Sequence, residues 1–180
     1  MSRRVARPYA AALFQVVERQ GVEVLRVVEA ELGAVAEVFE REPGVLRVFE
    51  VPTVLPAKKR ELLDELGRAL DLRTETRRLL AALQQHYRLR DLPDVVTTFR
   101  DLVDRKEGLV RGRVTLPTAP REGQMTALQG ALQASIDARV ELESALDPGM
   151  LAGFVVRLGS KVFDGSLRTQ LHRFAQSAQE

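Results

Sequence analysis

The stretch Leu109-Val110-Arg111-Gly112-Arg113-Val114-Thr115-Leu116, closed by Pro117, decides the architecture. Apolar and polar residues partly alternate along it, which is the period of a half-buried strand. The chain before it reads differently. From residue 2 to about residue 107, apolar residues recur at three- and four-residue steps, as on helices buried along one side. The change falls at Gly108. The chain therefore divides into a helical part, residues 1–107, and a mixed part, residues 108–180.

Six helices are expected in the first part. The first runs from about Ser2, which reads as its N-cap, to Gln20, with Gly21 as its end. The second covers Val22 to Arg41 and carries Leu25, Val28, Leu32, Val35 and Phe39. Pro43-Gly44 breaks it, and a short segment, Val45 to Val51, stops at Pro52. The fourth starts near Pro56, because proline suits a first turn, and carries Leu62, Leu63, Leu66 and Leu70. Thr74 is expected to cap a fifth, with Leu79, Leu80, Leu83 and Tyr87. Asp91 is expected to cap a sixth, with Val95, Val96, Phe99, Leu102 and Val103. Short connections between such helices imply an antiparallel bundle.

Beyond Leu116 a helix is expected from about Arg121 to Asp137, with Met125, Leu128, Leu132 and Ile136 on one side. Arg139-Val140-Glu141-Leu142-Glu143 alternates as a strand with one wet face. Asp147-Pro148-Gly149 is a turn. Phe154 to Leu158 is a strand, Gly159-Ser160 a tight turn, and Lys161-Val162-Phe163 a returning strand. Asp164 or Ser166 caps a last helix holding Leu167, Leu171 and Phe174. The fold class is thus α+β, mostly α: an N-terminal six-helix bundle followed by a small β-α-β-β-α domain.

The 180 residues carry 27 Lys+Arg against 25 Asp+Glu, and 0 Cys. No disulfide, thiolate metal site or cysteine nucleophile is available. Only four of the basic residues are Lys (58, 59, 106 and 161), Asn is absent, and Ile136 is the sole isoleucine. That bias matches a GC-rich genome better than thermal adaptation, which enriches Lys. Residues 1–107 hold 19 basic and 18 acidic residues, and residues 108–180 hold 8 and 7. Each part is near neutral. The alkaline isoelectric point reflects an excess of Arg and does not mark a basic surface, so nucleic acid is not an expected partner. No apolar run reaches the roughly 18–20 residues that span a bilayer. The basic start lacks a signal-peptide core, because Gln15, Glu18 and Arg19 interrupt it. The simplest expectation is an intracellular protein.

Chemistry is hard to place on this chain. His86 and His172 have no ligand spacing, so no metal is expected. The segment from Gly159 to Ser166 has no Gly-Lys pair and reads as a turn and a cap rather than a phosphate loop. Asp164 and Ser166 lack a third group to orient them as base and nucleophile. No catalytic residue and no cofactor is expected. The first helix stands out instead. Between Val5 and Val17 only Arg7, Pro8 and Gln15 interrupt the apolar residues. Such a helix is either buried all round or packs on one face while another lines an exposed groove, where Ala10, Ala11 and Ala12 would let a partner helix approach closely.

Three segments resemble the delta subunit of the bacterial F-type ATP synthase, the family that includes the oligomycin-sensitivity-conferring protein. They are Ala6-Arg7-Pro8-Tyr9-Ala10-Ala11-Ala12-Leu13-Phe14, then Arg88-Leu89-Arg90-Asp91-Leu92-Pro93-Asp94-Val95, and the run from Leu146-Asp147-Pro148-Gly149 through Gly153-Phe154-Val155-Val156-Arg157-Leu158-Gly159 to Val162-Phe163-Asp164-Gly165-Ser166-Leu167-Arg168 and Leu171. The resemblance implies a non-catalytic stator subunit that links the catalytic head to the peripheral stalk. In it, residues 1–107 would bind the N-terminal helix of an alpha subunit, and residues 108–180 the C-terminal end of the b-subunit stalk. The implied groove lies between the first and fifth helices, with Tyr9, Ala12, Leu13 and Val16 on one wall and Leu79, Ala82, Leu83 and His86 on the other. Gly153 and Asp164-Gly165-Ser166 are given folding roles. The implied location is peripheral, on the cytoplasmic face of a bacterial cell membrane, touching the membrane only through the complex. Two rival readings are a helical regulatory or nucleic-acid adaptor, which would show a basic face, and a small enzyme, which would show a pocket of convergent polar groups.

Overall fold

The computed structural model describes residues 3–136, 138–159, 161–169 and 171. The expected cap Ser2, the helix end Asp137, the turn residue Ser160, and His172 and Phe174 lie outside them. The chain packs as two compact units, Met1–Val103 and Asp104–Glu180. The division falls four residues before the expected one. Residues 104–107 finish a helix, but Arg111 Nε donates to Asp104 Oδ2 at 2.8 Å and ties that last turn to the following strand.

The first unit is helical: α1 (Arg3–Val17), α2 (Val22–Arg41), α3 (Pro43–Glu50), α4 (Pro56–Ala69), α5 (Thr74–Gln85) and most of α6 (Leu92–Glu107). Two 310 turns, Glu18–Gln20 and Leu89–Asp91, join neighbours. Pro43-Gly44 does end α2, yet Pro43 also opens α3 rather than preceding it, since a first-turn residue needs no N–H. Thr74 is not the cap of α5; Arg73 holds that position without a side-chain bond of its own. One backbone donor at this end is met from α2 instead. Glu31 Oε2 accepts the Arg73 N–H at 3.1 Å and also the Thr76 hydroxyl. Asp91, the expected cap of the sixth helix, ends the 310 turn immediately before α6.

Helices α4 and α5 end in the same way. After α5, Tyr87 N–H reaches Gln84 O at 3.0 Å and Arg88 N–H reaches Leu83 O at 2.8 Å. After α4, Asp71 N–H reaches Arg68 O and Leu72 N–H reaches Gly67 O. These are the paired bonds of a Schellman end, with Tyr87 (φ 56°) and Asp71 (φ 48°) where glycine is usual. The sequence reading carries α5 through Tyr87. The structure stops it at Gln85 because the chain turns left-handed there.

One apolar core runs through this unit, from Ala6, Ala10, Leu13 and Val17 of α1 to Val95, Phe99 and Val103 of α6. Phe99 is fully buried and meets Phe14 edge-on at 6.3 Å. Its burial contributes about 2–3 kcal/mol. A buried carboxylate here, Glu29, is bracketed by Arg26 at 2.6 Å and Arg100 at 2.7 Å, so its charge is compensated.

The second unit is a four-stranded mixed sheet of β1 (Leu109–Leu116), β2 (Arg139–Leu146), β3 (Val155–Leu158) and β4 (Lys161–Asp164), in the order β2-β1-β3-β4. Helix α7 (Gln124–Ile136) is the crossover that lets β1 and β2 run parallel, with Leu109 opposite Arg139 and Leu116 opposite Leu146. It starts three residues later than expected. Three strands follow α7 rather than two, so the β-α-β-β-α expectation is one strand short. The returning segment pairs along four residues with β3, Leu158 opposite Lys161, and counts as a strand of its own. Inward residues Val114, Leu116, Val140, Val156 and Leu158 meet Leu132 of α7. Residues 167–169 and 171 are helical. Of the two candidate caps, Ser166 accepts the Thr169 N–H on its Oγ at 3.4 Å, while Asp164 accepts the Ser166 N–H at 2.9 Å and the Thr169 hydroxyl at 2.9 Å. Both serve one N-terminus.

Candidate functional site

Helix α1 is not buried all round. Ala6, Ala10, Leu13 and Val17, spaced four, three and four residues apart, point into the core. Tyr9, Ala12 and Val16 form a second stripe beside them, and Val16 is 56% exposed. That stripe faces α5. Between the two helices is an open cleft of about 530 Å³, lined by Tyr9, Ala12, Leu13, Val16, Leu79 and Ala82 together with Pro8, Glu75, Arg78 and Arg88. Most of its lining is apolar.

Six of the eight residues expected in the groove thus meet in one place. Leu83 does not line it, since it is fully buried in the core. His86 lies past the helix end, at the C-cap, with its ring 6.5 Å from that of Tyr9. It stands beside the cleft rather than in its wall.

Four lining residues were not expected. Glu75 and Arg78 each sit four residues before Leu79 and Ala82 respectively, on the same helical face, so the periodicity of Leu79 and Ala82 also points to them. Pro8 adjoins Tyr9. Arg88 was hidden, because only the left-handed turn at Tyr87 brings it back; its guanidinium lies 5.9 Å over the Tyr9 ring. Tyr9 therefore holds one end of the cleft between His86 and Arg88. At the other end Gln20 Nε2 donates to Glu75 Oε1 at 2.8 Å. That hydrogen bond, then Glu75's own backbone N–H, with Arg73 and Arg78 nearby, holds the Glu75 carboxyl below its ordinary value of 4.5.

The charge on the second unit is arranged structurally. Arg111 pairs with Asp104 and with Glu141, at 2.8 and 2.6 Å. Gly153 has φ +92°, and a Cβ there would lie 2.3 Å from Gly165 O. Its close approach to residues 165–166 is the packing role expected of it. No group of three His, Asp or Glu side chains that could hold a metal occurs among the described residues. Nor is any helix among them long and apolar enough to cross a membrane.

Fold and cleft define a class: a two-unit α+β protein whose apolar open groove lies between two helices. The family model for the ATP synthase delta (OSCP) subunit matches residues 5–178. The chain is 38% identical over 169 residues to ATP synthase subunit delta of Anaeromyxobacter dehalogenans strain 2CP-C, covering 93% of this chain and 92% of that one. It is 32% identical to the Oleidesulfovibrio alaskensis subunit, over 92% and 91% of the two chains, and 30% identical to that of Geobacter metallireducens, over 100% and 99%. A chain of the Toxoplasma gondii mitochondrial ATP synthase hexamer shares the fold, with a TM-score of 0.69, 23% identity and 97% of each chain covered. This chain belongs to the ATP synthase delta (OSCP) subunit family.

Proposed function

We propose that this chain is the non-catalytic stator subunit that joins the catalytic head of an F-type ATP synthase to its peripheral stalk. Rotation of a central shaft exerts torque on the head. A head free to turn with the shaft would uncouple proton flow from ATP synthesis. A protein that resists this needs adhesion, with no bond made or broken. The helical unit, acting as a six-helix bundle, holds the N-terminal helix of an alpha subunit, and the second unit holds the C-terminal end of the b subunit. The chain sits peripherally on the cytoplasmic face of the membrane, held there through the complex.

The observation that carries this reading is the α1–α5 cleft. Its walls bring Tyr9, Ala12, Val16, Leu79 and Ala82 to an open surface, and small residues at its centre permit the backbone of a docked helix to come close. In the second unit Leu146, Leu151, Val162, Leu167 and Leu171 are exposed apolar side chains that a stalk helix could cover. The experiment is a pull-down from detergent-solubilised membranes with the tagged chain as bait. Recovery of alpha and b subunits is the expected result, and recovery of neither overturns the reading.

A further inference from the structure

The helical unit has two clefts of the same volume, about 530 Å³ each, with opposite rims. On the rim of the α1–α5 cleft are Glu75, Arg78 and Arg88. Glu75 is engaged by Gln20. Among the described residues Arg78 makes no ion pair or hydrogen bond, its only carboxylate neighbour being Glu75, which it helps hold down from a distance, and Arg88 has the Tyr9 ring beneath its guanidinium and no ion pair. The second cleft, between α2, α3 and α6, has Glu37, Glu40 and Arg90 around an apolar floor that includes Phe39 and Val96. There the cation is satisfied: Arg90 grips Glu50 through two bonds of 2.8 Å each. Glu37 accepts from Arg41, while Glu40 has no partner among the described residues. Among the described residues, one cleft therefore offers two cations with no ion-paired carboxylate, and the other an unpaired carboxylate.

The arginines mark the two ends of the first cleft. Across it α1 and α5 run antiparallel, since Tyr9 meets His86 near the end of α5 while Gln20 meets Glu75 at its start. Pro8 to Val16 spans about 12 Å along α1, or roughly two to three helical turns. Arg78 and Arg88 stand near opposite ends of that span.

We infer that the α1–α5 cleft selects a short helix whose apolar stripe is flanked by carboxylates, one seated at Arg78 and one at Arg88. Apolar contact fixes the helix in the groove; the charges choose which helix. This rests on the reading of the cleft as the seat of an alpha-subunit helix, and adds what that helix must carry.

The test uses the full chain and a synthetic peptide of the N-terminal 20 or so residues of the alpha subunit from the same genome, titrated by calorimetry. A second peptide has every Asp and Glu changed to Asn and Gln. Arg78→Gln and Arg88→Gln are each expected to weaken the acidic peptide about twofold to fivefold at low salt, and to leave the amide peptide unchanged. Glu40→Gln is expected to change neither. Added salt lowers the affinity of the native peptide toward that of the amide one. Equal affinity of both Arg variants for the native peptide overturns the inference while the docking reading stands, and so does a gain on Glu40→Gln, which would put the helix in the second cleft. Failure of the unaltered chain to bind the peptide at all sinks the docking reading and this inference with it.

Discussion

Among the described residues Glu75 is the only carboxylate lining the α1–α5 cleft, and Gln20 already holds it. A carboxyl whose folded value is depressed contributes stability above its unfolded value, and that contribution is lost as the pH falls through the folded value. The carboxyl carbon of Glu75, followed by NMR, should therefore titrate below 4.5, and Gln20→Ala should move the midpoint up toward it. An unmoved midpoint would mean that the Gln20 bond does not form in solution. Gly153 is a residue-scale constraint of a different kind. With φ at +92° and backbone atoms 2.3 and 2.8 Å from where a Cβ would stand, alanine combines torsional strain with a clash that no side chain can relieve. Gly153→Ala should cost the second unit about 2–4 kcal/mol. Amide exchange in β3 and β4 would report it as faster opening.

Helix α5 carries one wall of the cleft, and its start is fixed from outside. Neither Arg73 nor Thr74 supplies a cap; Glu31 of α2 reaches over to the Arg73 N–H and the buried Thr76 hydroxyl. Glu31→Ala removes the cap and leaves a buried hydroxyl unpaired, which should cost about 1–3 kcal/mol in urea unfolding. No loss would show that water takes over both bonds. This arrangement also explains what could be read from the sequence. The apolar periodicity of α2, α4 and α6, the bounds of β1 and the Asp147-Pro148-Gly149 turn were legible, because each is set by residues within a few positions. The cap of α5 was not, since its acceptor lies more than 40 residues away. Nor was Arg88, because placing it in the cleft requires a left-handed tyrosine where glycine is the usual residue. The family resemblance implies His86 in the wall, but α5 stops at Gln85 and leaves His86 at the C-cap, to the side. Leu83 has the spacing of a wall residue, but periodicity alone cannot separate a core-facing leucine from a groove-facing one a few tens of degrees away.

At the scale of the molecule, near-neutral charge and two modest cores belong to a protein that works by adhesion. In the helical unit Ala6, Ala10, Leu13 and Val17 of α1 are buried in the core, while Ala12 and Val16 are exposed and Tyr9, which packs on the core's edge, also lines the open cleft. Leaving such a stripe open costs solubility, which is offset only when a partner covers it. The central claim is that this stripe, with Leu79 and Ala82 opposite, is where the catalytic head is held. The most direct measurement is calorimetric titration of the purified chain into a catalytic head stripped of its own delta subunit, for the unaltered chain and for Tyr9→Asp. Aspartate would put an unpaired charge on an apolar wall that docking desolvates, a loss of about 2 kcal/mol or more, or roughly 30-fold in affinity. The account predicts tight binding by the unaltered chain and that loss in the variant, with the variant still folded by circular dichroism at the titration temperature, since Tyr9 packs against the core only at its edge. Equal affinity of the two proteins for the head would contradict it.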